Sequence, residues 1–267
     1  MLLQAIYPTP EHKAAAEAIV EFVTTNYRVD AVLLVNSCAR GKATRDSCLD
    51  ISVLARLEAR QSLLDVLEAD WLRFEETSPA IAAMKRVGKY SVVHPNFTDG
   101  TFVPPERDEA AGPDWFEVEV GNLLAYSVPL WHNGGYYEQL KRQWLPYYSE
   151  DLRRERMAMV RGYCLNNLRH IPLYIERGLY FQSFDRLYNA YQEFLQALFI
   201  ARRTYPIAYN KWIREQIEEI LGLPELYAQL SHLFEIKRFE SFEIAEKALE
   251  VEQLLEKYAH DPESAGG

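Results

Sequence analysis

The stretch that decides how this chain is read is VNSCARGKATRDSCLDIS, residues 35–52. The apolar run AVLLV (31–35) leads into it as a buried-strand candidate. LDISVLA (49–55) follows and alternates, with Leu49, Ile51 and Val53 on one face and Asp50, Ser52 and Leu54 on the other. A strand that ends in a turn of small residues lets backbone N–H groups approach phosphate oxygens. Acids at i, i+2 on the returning strand would then present carboxylates to a bridging magnesium ion. The stretch therefore has the form of a phosphate-handling loop.

Outward from the loop, Thr9 and Pro10 read as N-cap and first position of a helix with Ala15, Ile19, Phe22 and Val23 at helical spacing. Leu63, Leu64, Leu67, Trp71 and Phe74 mark a second helix, and YSVVH (90–94) is strand-like. Residues 95–114, rich in Pro and Asp, read as loop or hairpin. WFEVEV (115–120) alternates again, which predicts a strand with Glu117 and Glu119 on one face. After residue 133 the period is helical: Ser149 caps a helix that Pro172 should interrupt. Phe181, Phe184, Leu187, Tyr191, Phe194, Leu198 and Phe199 form the stripe of the next, and a last helix precedes the polar tail DPESAGG (261–267). The predicted class is α+β: a mixed sheet with flanking helices over 1–133, then an all-α bundle over 134–267.

Composition sets outer limits. The 267 residues are 48% hydrophobic and 25% charged, with a net charge of −10 and no basic block, so the chain's field repels polyanions and nucleic acid is not an expected partner. No apolar run approaches the length of a membrane span, and three cysteines (Cys38, Cys48, Cys164) with no secretory leader pattern predict a cytoplasmic protein without a disulfide framework. The histidines (His12, His94, His132, His170, His232, His260) are scattered and give no metal-ligand spacing.

The loop resembles that of the nucleotidyltransferase superfamily typified by DNA polymerase beta. Its pattern is Gly-Ser or Gly-Gly, a spacer, then Asp-x-Asp or Asp-x-Glu on the next strand. Ser37, Ala39, Arg40, Gly41, Ala43, Ser47 and Asp50 coincide with the fuller bacterial form of that motif. The helical half, through LPYYSEDLR and YPIAYNKW, is similar to the substrate-side bundle of aminoglycoside nucleotidyltransferases and of bacterial two-domain relatives. The resemblance implies magnesium and a nucleoside triphosphate such as ATP, with transfer of a nucleoside monophosphate to a hydroxyl on a small molecule or protein. It implies that Asn36 and Ser37 form the phosphate turn, with Ser37 holding a terminal phosphate oxygen, that Arg40 and Lys42 offset triphosphate charge beside Ser47, and that Asp50 binds metal. Glu119, or else Glu117, would take the third acid position as metal ligand or general base, unless the pair is simply a solvated strand face. Lys211 is the expected contact to nucleotide from the helical half.

Two departures cut against the resemblance. Asn36 stands in the place of the glycine, although Asn accepts left-handed torsions better than most residues. Cys48 stands in the place of the first acid, and magnesium prefers hard oxygen ligands to sulfur. The sequence thus leaves open a magnesium-dependent transferase, a degenerate protein that binds nucleotide or a partner without transfer, and a toxin–antitoxin component.

Overall fold

The computed structural model describes residues 4–56, 60–106 and 108–260; the side chains of 60–65, including Leu63 and Leu64 of the expected stripe, and the 261–267 tail lie outside the described residues. The chain divides into two compact units, each built from two pieces. The first comprises 1–102 and 120–145, the second 103–119 and 146–267.

The first unit holds a four-stranded mixed sheet of order β3-β2-β1-β4, with β1 Ala31–Leu34, β2 Leu49–Leu54, β3 Val93–Thr98 and β4 Val128–His132. β1 runs antiparallel to β2 and β4, and β2 runs parallel to β3. Helix α1 (Pro10–Asn26) starts as its cap predicts, the Thr9 hydroxyl accepting from His12 N at 3.4 Å. It buries Ala15, Ala16, Ile19 and Val23, and Phe22 stacks on Phe74 of α3 (Arg60–Thr77) at 4.1 Å between centroids. Leu49, Ile51 and Val53 join the same core, so the period-2 reading of β2 places its apolar face correctly. The opposite face carries Asp50 and Ser52.

Two strands differ from expectation. β3 begins at Val93 rather than at residue 90 and runs straight through Pro95. Proline is tolerated there because β3 is an edge strand and one ladder of its backbone needs no partner. β4 forms where no strand is expected; its Pro129 too lies on an edge, where the β1 register shifts between Val32 and Leu33.

The second unit is helical: α5 (Phe116–Val120), α7 (Glu150–Glu176), α8 (Tyr180–Ala201), a π-helical segment Glu215–Ile220, α9 (Pro224–His232) and α10 (Glu243–Tyr258). Short α4 (Pro79–Met84) and α6 (Tyr136–Trp144) belong to the first unit. Ser149 caps α7 as expected, but Pro172 does not interrupt it. Pro172 is solvent-exposed, while Cys164, Leu168, Ile171 and Ile175 are buried in the bundle core beside Leu187, Tyr191, Phe194 and Leu198 of α8. That packing outweighs the roughly 3 kcal/mol an interior proline costs a helix. Phe181, expected in the α8 stripe, is 81% exposed.

WFEVEV is also corrected: it is the α5 helix and not a strand. Asp114 Oδ1 accepts from Phe116 N at 3.0 Å and caps it. In a helix, residues i and i+2 point roughly 200° apart. Glu117 is accordingly fully buried and Glu119 exposed, where a strand would have put both on one face.

Candidate functional site

The candidate site is built where β1 turns back into β2. Asn36 opens the turn with φ 58°, a left-handed torsion that Asn accepts better than most residues, and Gly41 adopts φ 69° further on. Asn36 to Ala39 form one short helical turn, α2. Its backbone is pinned by Val35 N to Asp50 O at 3.1 Å, Arg40 N to Asn36 O at 3.3 Å and Lys42 N to Ser37 O at 2.9 Å. The first of these draws the start of the turn against Asp50.

Beyond the turn, several polar groups are spent on structure. The Ser47 hydroxyl accepts from Thr44 N at 2.9 Å, and the Ser47 carbonyl lies 2.9 Å from Nε2 of buried His12. Asp46 Oδ1 accepts from Lys89 N at 3.1 Å, so its carboxylate is turned toward the 88–89 corner. Cys38 is a core thiol whose Sγ sits 3.7 Å from the Cys48 carbonyl. Burial, reinforced by the nearby Asp50 charge, pushes its thiol up to about 12, and it is not in a disulfide.

Cys48 and Asp50, at i, i+2, share a face of the β2 end, and the parallel register sets His94 of β3 directly across from Asp50. The Cys48 thiol donates to Asp50 Oδ2 at 3.2 Å, and His94 Nδ1 lies 3.4 Å from Asp50 Oδ1. One ligating atom from each of the three lies within 4.8 Å of the others. The resemblance predicts a further acid on a later strand; the later strand beside Asp50 is β3, and its registered residue is a histidine. His94 was not singled out from the sequence, because the pairing of β2 with β3 joins residues 44 apart in the chain and leaves no local signal. One trace existed: the strand-like YSVVH ends on it.

This donor set can hold a metal, but it fits magnesium poorly. Magnesium takes near-octahedral oxygen ligands, and the cluster offers a single carboxylate beside a thiol and an imidazole.

Comparison with known proteins assigns no function. No family model matches the chain, and no curated protein matches it. Among solved structures, it is similar to a nucleotidyltransferase-like protein from Exiguobacterium sibiricum, at 13% identity and a TM-score of 0.44, over 92% of this chain and 74% of that one. The functional reading rests on the chain's own residues.

The remaining predicted site residues lie in the helical unit. Glu117 is fully buried and accepts from Arg156 Nε at 2.9 Å and Nη2 at 2.7 Å, from Tyr148 Oη at 2.9 Å and from Gln196 Nε2 at 2.8 Å. Arg156 Nη2 also reaches Asp114 Oδ1 at 2.7 Å. Burial alone would lower the guanidinium, but hydrogen bonds and charge from Glu117 and Asp114 raise it overall, so it stays a cation. These groups make Glu117 part of the scaffold. Glu119 borders a cavity of ≈ 350 Å³ with Val103, Pro105, Trp115 and Phe116, its carboxyl raised by burial and by the Asp114 charge. Lys211 is exposed, its carbonyl accepting from Gln216 Nε2 at 3.0 Å. Among the described residues, no helix is long and apolar enough to cross a membrane.

Proposed function

We propose that the α/β unit is a nucleotide-binding unit of nucleotidyltransferase type, in which the turn at Asn36, Ser37, Arg40 and Lys42 receives phosphate groups but magnesium-dependent transfer has been lost. The carrying observation is the surroundings of Asp50: a left-handed turn of the right form leads to it, yet Cys48 and His94 are its neighbours in place of carboxylates. Two-carboxylate metal sites stabilise the charge that develops in nucleotidyl transfer, and one carboxylate cannot clamp both metal and phosphate in that way. Lys42, and Arg40 whose Nη atoms are buried, carry positive charge that needs no metal. Asn36, Ser47, Glu119 and Lys211 are secondary on this reading: Asn36 shapes the turn, Ser47 braces it, and Glu119 and Lys211 remain candidates for a small ligand of the helical unit.

Titration calorimetry with ATP, GTP, CTP and UTP, in magnesium and then in chelator, tests the proposal. Binding that is equally tight in both buffers and weakened by Ser37→Ala and Lys42→Ala is the expected result. Absence of binding by all four nucleotides overturns it. Binding that collapses in chelator, together with labelled monophosphate appearing on an acceptor, returns the transferase reading, with ATP and magnesium as substrate and cofactor. Cys48→Asp should convert magnesium from a bystander into a requirement.

A further inference from the structure

We infer that Cys48, Asp50 and His94 form a site for a thiophilic divalent cation, zinc by preference, in place of a magnesium site. The donor atoms are a sulfur, a carboxylate oxygen and an imidazole nitrogen, the set that zinc takes and magnesium avoids. Geometry supports it. Tetrahedral zinc, with bonds of about 2.3 Å to sulfur and about 2.0–2.2 Å to nitrogen and oxygen, holds its ligand atoms roughly 3.3–3.6 Å apart. Cys48 Sγ lies 3.2 Å from Asp50 Oδ2 and His94 Nδ1 lies 3.4 Å from Asp50 Oδ1, and one ligand atom from each residue lies within 4.8 Å of the others.

The sheet holds this geometry in place. Asp50 is held in β2, Cys48 sits immediately before the strand with its thiol on Asp50, and the β2–β3 register fixes His94 across from Asp50. Only modest adjustment remains, a rotation of the Asp50 carboxylate to offer one oxygen and a turn of the His94 ring, whose side chain is 62% exposed. Three protein ligands leave the fourth tetrahedral position to a non-protein ligand, and the His94 side chain is exposed. That is the arrangement of zinc sites that keep a place for water or an incoming oxygen. Metal binding would displace the proton that the Cys48 thiol now shares with Asp50, because the thiolate is the ligand.

The inference concerns the metal-binding residues alone and holds with no nucleotide present, so its failure leaves the calorimetry in chelator untouched, and the reverse. The test uses the full chain with zinc, cobalt and magnesium as separate probes. Elemental analysis after dialysis should find one zinc per chain in the wild type. The cobalt form should show a thiolate-to-metal charge-transfer band. Zinc should also slow alkylation of Cys48 by at least about tenfold, the scale of effect that even outer-shell changes have at metal sites, while excess magnesium should not. Cys38 and Cys164 are fully buried, so native-state alkylation followed by peptide mapping reports on Cys48. Cys48→Ser should abolish the band, and His94→Ala should weaken cobalt binding at least about tenfold with an unchanged circular dichroism spectrum. Cobalt that binds without a thiolate band, or zinc retained equally by the wild type and both variants, overturns the inference.

Discussion

Glu117 and Glu119 show how much two neighbouring carboxylates can differ. Glu117 lies within a cage of Arg156, Tyr148 and Gln196, whereas Glu119 faces solvent. Removing one partner of a buried ion pair leaves the other uncompensated, at about 3–5 kcal/mol. Glu117→Ala should therefore lower the urea-unfolding free energy by about that amount, and Glu119→Ala should change it by no more than about 0.5 kcal/mol, as exposed sites do. Equal effects would contradict the helical placement of the pair. At the same scale, Cys48 and His94 are the side chains that flank the Asp50 carboxylate, at 3.2 and 3.4 Å.

Among the elements, α7 depends on its first turn. Glu150 accepts from Arg203 Nε at 2.6 Å and from Arg153 Nε at 2.7 Å, and these bonds hold its carboxyl near a pKa of about 2, below the ordinary 4.5. A depressed folded-state pKa contributes stability that is complete above about pH 4.5 and is lost as the pH falls toward about 2. Because the carboxylate is 45% exposed, solvent screening limits the contribution to under about 1 kcal/mol. Glu150→Gln should flatten the acid limb of the stability curve in that window and leave the neutral region less stable by a similar amount. An acid limb unchanged in slope would show the bridges to be energetically silent. Glu150 also lies where a helix favours negative charge, at its N-terminal end.

Over the whole molecule, the decisive feature is that segment 103–119 belongs to the helical unit although it precedes β4 in the chain. It delivers Asp114 and Glu117 to Arg156, and the carbonyls of Glu109 and Ala110 to Asn167 and Asn189. A chain consisting of 146–267 alone would bury Arg156 with neither carboxylate. It should melt without cooperativity by circular dichroism, and joining 103–119 to its N-terminus through a flexible Gly-Ser linker should restore a sharp transition. A cooperative melt of 146–267 by itself would show that the network is dispensable.

Local chemistry made much of this legible from sequence. The strand, turn, strand order around residues 35–52, the apolar face of β2, the Thr9 and Ser149 caps and the left-handed torsion suited to Asn36 each depend on residues within a few positions of one another. Where local signals conflicted, they misled. The alternation of WFEVEV suggested a strand although Asp114 and Glu117 have the spacing of a helix N-terminal box, and six residues are too few for periodicity to decide between the two. The Pro-rich stretch from residue 95 and Pro172 pointed to breaks that edge position or core packing then overrode. Only the tertiary structure could set His94 against Asp50 and Glu117 against Arg156, because strand register and helix packing join residues tens of positions apart, and those pairings answer to the burial of whole faces rather than to any local motif.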